Sequence, residues 1–182
     1  RYQIIEKIGH GSTGSVYKVR DIHLEKEWAL KFLEKRGKGT KSGKAEWEIL
    51  KKIAHKNFPR IVDAFEEDDK YAIVMDCITG VTLEEVIERG PIEEKQMIFI
   101  AKQICEALHY LHLRNPILLY LDLKPANIML EEGGCVKLVD LGSVIVKGEE
   151  NNVSGTFGYA SPEQIGRNQK EGCLTEQSDI YS

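Results

Sequence analysis

The stretch Tyr120-Leu121-Asp122-Leu123-Lys124-Pro125-Ala126-Asn127 carries more chemistry than any other eight residues of this chain. It sets a carboxylate at 122, an ammonium at 124 and a carboxamide at 127. A carboxylate can accept a proton from a hydroxyl, an ammonium can neutralise charge growing on a phosphoryl group in transfer, and a carboxamide oxygen suits a hard cation such as magnesium. Thirteen residues past Asn127 comes Asp140-Leu141-Gly142, behind the strand-like run Val136-Lys137-Leu138-Val139. A carboxylate at a strand end followed by glycine is well placed to supply a second metal ligand. Either fragment alone reads equally as a turn with a surface acid; both together, downstream of the features described next, are hard to produce by chance.

Upstream, Gly9-His10-Gly11-Ser12-Thr13-Gly14 fits G-x-G-x-x-G, a weak signal because dinucleotide-binding folds share the spacing. Those folds open a helix at the third glycine to aim its positive end at pyrophosphate, whereas Ser15 to Val19 continues as a strand. The glycines read as a hairpin, either a plain one or one whose bare backbone closes over phosphates. Lys31 ends the apolar run Trp28-Ala29-Leu30-Lys31. There it either emerges at a strand end or pairs with phosphate oxygens on one side and the Glu46 carboxylate on the other. The basic loop from Gly37 to Lys44 is not a P-loop: Lys38 occupies the first glycine position and Ala45 the hydroxyl position.

The 182 residues are 42% hydrophobic and 30% charged, enough apolar content for a globular core. A formal net charge of -4 argues against nucleic acid as the main partner. Cys77, Cys105, Cys135 and Cys173 form neither a CxxC pair nor a zinc-spaced cluster, and read as reduced thiols in a cytoplasmic protein. The longest apolar run, Ile117 to Leu121, is too short to span a bilayer. Ile4 to about Lys35 is strand-like, Lys35 to Lys44 a loop, and Ser42 a candidate cap for a helix with Ile49, Leu50 and Ile53 on one face. Strands are predicted around Ile61 to Phe65 and Tyr71 to Cys77. Thr82 and Glu85 are spaced as a capping box, Pro91 precedes a longer helix, and Met97, Ile100, Ala101, Ile104, Leu108 and Leu111 mark its apolar face up to the stop at Asn115-Pro116.

These features resemble the eukaryotic-type protein kinases, with a flavour similar to bacterial members, over nearly the whole chain. Gly9 to Val16 resembles the family's glycine-rich loop, Lys31 its VAIK lysine, Glu46 its helix C glutamate, Asp122 and Asn127 its HRDxxxxN loop, and Asp140 to Gly142 its DFG. Ser161-Pro162-Glu163 resembles APE, and Asp179-Ile180-Tyr181-Ser182 the start of helix F. The resemblance implies an α+β, bilobal fold: residues 1–77 as an N-terminal lobe with an antiparallel sheet and one main helix, and 78–182 as a mainly helical, incomplete C-terminal lobe. It implies ATP as cofactor, held by Gly9, Gly11, Ser12, Gly14, Val16, Ala29, Lys31, Met75 as gatekeeper, Asp76 and Ile78 as hinge, and Met129. Magnesium, with manganese as the alternative, would sit on Asn127 and Asp140. Asp122, Lys124, Lys31 and Glu46 would be the catalytic set.

Lys124 two residues after Asp122 resembles serine/threonine kinases. Gly155-Thr156, Tyr159 and Ser161 to Glu163 resemble the peptide-docking segment of protein kinases, so the expected substrate is a protein hydroxyl. The rival readings are a nucleotide-binding pseudokinase scaffold, disfavoured because both aspartates and the lysine are present, and a small-molecule kinase, disfavoured by Lys124 and the docking segment. Leu121 stands where the family commonly has an arginine that pairs with a phosphorylated activation segment, and an apolar residue cannot bind phosphate. The family also continues past the position of Ser182. The expectation is a fragment of a longer product, carrying any membrane tether outside this stretch, or a chain whose missing packing a partner replaces. Without the family's further helices, Glu163 would lack the basic partner that the resemblance implies.

Overall fold

A computed structural model describes residues 1–11, 14–34, 43–67, 69–148, 155–166 and 174–182. The chain divides into two compact units, 1–54 with 59–78, and 55–58 with 79–182. Sequence placed the division at 77/78; in the structure the first unit runs one residue further, to Ile78, and the short segment His55–Phe58 belongs to the second.

The first unit is a five-stranded antiparallel sheet ordered β1-β2-β3-β5-β4, from β1 (Tyr2–Gly11), β2 (Gly14–Asp21), β3 (Lys26–Glu34), β4 (Ile61–Glu67) and β5 (Lys70–Asp76). Opposed residues of an antiparallel ladder share a face, and faces alternate along each strand. The pairings Tyr17↔Leu30, Val19↔Trp28 and Leu30↔Val74 put one set on one side. There Val19, Leu30, Ala72 and Val74 form a core with Tyr2, Tyr17, Trp28, Phe32 and Phe65 against it. The pairings Val16↔Lys31, Ala29↔Met75 and Lys31↔Ile73 put Val16, Ala29, Lys31 and Met75 on the opposite side. The helix α1 (Gly43–Leu50) packs on that second face, where Trp47 stacks on Tyr71 with ring centroids 5.3 Å apart. α1 ends at Leu50 instead of running to Ile53; a turn carries the chain on, with Ile53 N donating to Leu50 O, and Ile53 is buried all the same. The proposed cap Ser42 and residues 35–42 of the expected loop lie outside the described residues.

The second unit is built on α3 (Glu94–His112), preceded by β6 (Gly80–Thr82) and α2 (Leu83–Glu88). The Thr82 hydroxyl accepts from Glu85 N and the Glu85 carboxylate from Thr82 N, the capping box the spacing predicts. α3 buries Ile100, Ile104, Leu108 and Leu111 as its period requires, together with a polar residue, Gln103. Gln103 is satisfied: its Nε2 donates to Gly134 O and its Oε1 accepts from Val136 N. Met97, expected on the apolar face, is 36% exposed. Beyond α3 the chain makes strands that the hydrophobic period did not disclose, β7 (Leu118–Leu119), β8 (Ile128–Glu131) and β10 (Ile145–Val146), beside the expected β9 (Val136–Leu138). They form a sheet ordered β6-β8-β9 and a pair β7-β10, with α4 (Pro162–Ile165) and α5 (Glu176–Tyr181) following. No helix among the described residues is long and apolar enough to cross a membrane.

Candidate active site

The loop after β7 enters a one-turn 3-10 helix, Pro125–Asn127, with proline at its first position, where a missing N–H costs nothing. That turn brings Asn127 back onto Asp122: Asn127 Nδ2 donates to Asp122 O at 2.8 Å and to Asp122 Oδ2 at 2.8 Å. Both side chains are nearly buried, which strengthens these bonds. Lys124 Nζ sits 2.9 Å from Asp122 Oδ2 and donates to Thr156 Oγ1 at 2.7 Å. Thr156 Oγ1 in turn donates to Asp122 Oδ1 at 2.6 Å. A carboxylate, an ammonium and a hydroxyl therefore converge on one point.

The backbone beneath them is held in a costly conformation. Leu121 has φ +63° and Asp140 φ +54°, left-handed values that side chains other than glycine rarely adopt. Leu121 is pinned at both ends, its N–H donating to Asp179 Oδ1 at 2.7 Å and its carbonyl accepting from Gln164 Nε2 at 2.9 Å. The fully buried Asp179 also accepts from Tyr120 N at 2.9 Å and lies 2.8 Å from His112 Nε2. A carboxylate has only acceptors to offer, so this imidazole nitrogen carries the proton. Tyr120 is buried with its hydroxyl donating to Val139 O, and burial, then the nearby Asp140, Asp122 and Asp179, push its phenol well above the ordinary value. Val139 N donates to Asn127 O at 2.9 Å, joining the segment before Asp140 to the 3-10 turn.

In the first unit, Gly14 closes the β1–β2 hairpin opposite Gly11 at φ +144°, and a Cβ there would stand 2.2 Å from Phe32 O. Only glycine fits this approach. Lys31 is 4% exposed, on the sheet face it shares with Val16, Ala29 and Met75. Asp76 faces the other way: its carboxylate accepts from Arg60 N and its own N–H donates to Arg60 O. Met129 lies in β8 opposite Lys137, in the second unit with Asp122, Asn127 and Asp140. Ser12 and the side chain of Glu46 lie outside the described residues, although the backbone of Glu46 belongs to α1. Glu163 accepts from the Ser178 hydroxyl at 2.6 Å, which holds its carboxyl below the ordinary value.

The metal chemistry fits. Asn127 gives its amide protons to Asp122, which leaves its Oδ1 as the acceptor that would meet a cation. No cluster of three or more His, Cys, Asp or Glu with metal-holding geometry occurs among the described residues.

A family model described as "Protein kinase domain" matches residues 2–182. The chain belongs to the protein kinase domain family. This kinase domain is 35% identical over 192 residues to "Serine/threonine-protein kinase PrkC" of Bacillus subtilis, an alignment covering 100% of the chain and 29% of that protein. It is 36% identical over 189 residues to "Serine/threonine-protein kinase 36" of Pongo abelii and 34% identical over 192 to "Serine/threonine-protein kinase TIO" of Arabidopsis thaliana, with all of the chain and 14% of each relative covered. The kinase domain thus spans less than a third of the length of these curated relatives.

Sequence reasoning assigned Asp122, Lys124 and Asn127, but not the groups that hold them. Thr156, Gln164, His112 and Asp179 lie far along the chain, where no local period signals contact. The spacing Ser161 to Gln164 was the nearest clue: Gln164 Oε1 accepts from Ser161 N as a helix cap while its Nε2 reaches Leu121 O.

Proposed function

We propose that this chain transfers the γ-phosphoryl group of ATP to serine or threonine hydroxyls of proteins. The observation that carries the reading is the contact at Asp122, whose Oδ1 already accepts from a threonine hydroxyl at 2.6 Å while the Lys124 ammonium donates to that same hydroxyl oxygen. A substrate hydroxyl presented in the same way would be oriented by Asp122 and would pass its proton there, while Lys124 offsets charge on the phosphoryl group. Lys31, assisted by Glu46, neutralises ATP phosphates. Gly9, Gly11, Ser12 and Gly14 cover them, and Val16, Ala29, Met75, Asp76, Ile78 and Met129 hold the adenine. Asn127 and Asp140 would hold magnesium or manganese, which would supply neutralisation of the phosphate oxygens. The thiols of Cys77, Cys105 and Cys135 are free, in keeping with the reducing, ATP-rich cytoplasm as the place of action.

The test is to incubate the full-length protein with Mg-ATP and generic protein substrates beside Asp122→Asn. The expected result is phosphoserine or phosphothreonine from the wild type and a loss of turnover on the order of 100-fold or more in the variant. ATP binding without transfer by the wild type would replace the kinase reading with a nucleotide-binding scaffold.

A further inference from the structure

His55 opens the short segment, His55–Phe58, that joins the second unit ahead of the rest of it. Its imidazole is half-buried against α3: the ring stacks on Tyr110 with centroids 4.8 Å apart and planes at 27°, and lies 6.1 Å from the Phe58 ring. Asn57 N donates to His55 Nδ1 at 3.3 Å, so this nitrogen is an acceptor and the neutral ring carries its proton on Nε2. Phe58 N donates to His55 O at 3.0 Å, closing the segment into a turn. The charge around the ring is mostly positive. Lys56 is its neighbour in the chain, Arg114 lies over the Tyr110 ring at 4.1 Å just past α3, and Lys137 of β9 donates to Lys56 O at 2.8 Å. Against them stand Glu106 of α3, 2.8 Å from Lys56, and Glu131 of β8, 3.9 Å from Lys137. Burial first, then Lys56, Arg114 and Lys137 with Glu106 opposing, hold the imidazole below its ordinary 6.5. The segment reaches the site through Asn57, whose Nδ2 donates to Val136 O and whose carbonyl accepts from Leu138 N. Both ends of β9 thus hang on the residue whose N–H the imidazole accepts. From β9 the chain passes through Val139, whose N–H donates to Asn127 O, into Asp140.

We propose that His55 is a proton-operated latch on this site: a proton taken up at Nδ1 ends the bond from Asn57 N, adds a cation beside Lys56, Arg114 and Lys137, and slackens the hold of Asn57 on β9 and so on Asp140. The step is protonation alone, with water as the proton source. Folding favours the neutral ring, so the unfolded chain takes up this proton more readily. The latch is therefore firm above pH 6.5 and released as the pH falls through the lowered folded-state value. Glu106, held below its ordinary value by Lys56, keeps its charge through that window. Acidification thus slows phosphoryl transfer. That consequence rests on the protein-kinase reading, whereas the latch itself does not.

The experiment uses the full-length protein with His55→Gln, which takes up no proton there, and His55→Lys, which carries the charge throughout. Hydrogen–deuterium exchange at the imidazole C2, followed by mass spectrometry, reads the pKa of His55 in the wild type, expected below 6.5. Protection of backbone amides over residues 136–140 should fall in the wild type as that titration proceeds, hold in His55→Gln, and be low at every pH in His55→Lys. With Mg-ATP and a protein substrate, the ratio of the wild-type rate to the His55→Gln rate should drop several-fold between about pH 7.5 and about pH 5.5. The ratio cancels the titration of ATP, which both proteins share. His55→Lys should be about ten-fold slower than the wild type at neutral pH. A His55 pKa at or above 6.5, protection indifferent to the titration, or parallel pH profiles for the wild type and His55→Gln would sink the proposal. No phosphoryl transfer at any pH would instead remove the kinase reading, and the two exchange measurements would decide the latch by themselves.

Discussion

At Thr156 a single hydroxyl joins the two charged groups that the chemistry needs. It accepts from Lys124 and donates to Asp122, so it fixes the distance between cation and carboxylate without carrying charge itself. Thr156→Val keeps the volume and removes the hydroxyl. It is expected to lower kcat on the order of ten-fold with little change in KM for ATP, while Thr156→Ser restores most of the rate. Equal rates for valine and serine in steady-state kinetics would remove Thr156 from the mechanism. The acidic side chains of this loop were legible because their spacing within eight residues is itself the signal. Thr156 was read only as part of a docking segment, since its partners lie more than thirty residues away.

At the scale of elements, Leu121 has a different setting from the arginine it replaces in the resemblance. It is 1% exposed in a cluster with Leu119, Ile145 and Leu174, and Ile117 packs against them. The cluster ties β7, β10 and Leu174, two residues before α5, together by apolar packing, where an arginine would need an anion. Leu121→Arg is therefore expected to lower unfolding free energy by about 3 kcal/mol or more in urea titration, because it buries an unpaired cation. Phosphatase treatment of the wild type should leave activity unchanged, and a strong loss would contradict this anchoring. Charges near α5 add a pH dependence. Lys147 donates to Glu176 at 2.8 Å and holds that carboxyl below the ordinary 4.5, as the Ser178 hydroxyl does for Glu163. A depressed folded-state pKa stabilises above the unfolded value and is lost as pH falls through the lowered one. Thermal melts from pH 6 down to pH 3 should lose stability below about 4.5, and Glu176→Gln should flatten that slope.

On the scale of the molecule, the chain leaves its first unit at His55, contributes four residues to the second, and returns at Pro59. Asn57 is the tie within the second unit. It is fully buried, its Nδ2 donates to Val136 O at 2.7 Å and its carbonyl accepts from Leu138 N at 2.8 Å. Asn57→Ala leaves Val136 O without that donor and should cost about 1–3 kcal/mol in chemical denaturation, whereas a change under 0.5 kcal/mol would mean the segment is held by packing of Phe58 alone. The boundary at 77/78 in the sequence comes from a shift between strand-like and helical periods. Four residues cannot display a period, so the exchange at His55–Phe58 was invisible to it.

What the sequence determined by itself was whatever depends on neighbours along the chain: the β1–β2 glycine hairpin, the α2 capping box, the apolar stripe of α3, and the order of Asp122, Lys124, Asn127 and Asp140. Tertiary structure alone decided that Val16, Ala29, Lys31 and Met75 share a sheet face, because strand register is set by packing between strands. It also decided that Asp179, His112 and Gln164 hold the loop around Leu121. A buried carboxylate takes whichever donors folding brings to it, and here those are backbone amides 58 and 59 residues distant.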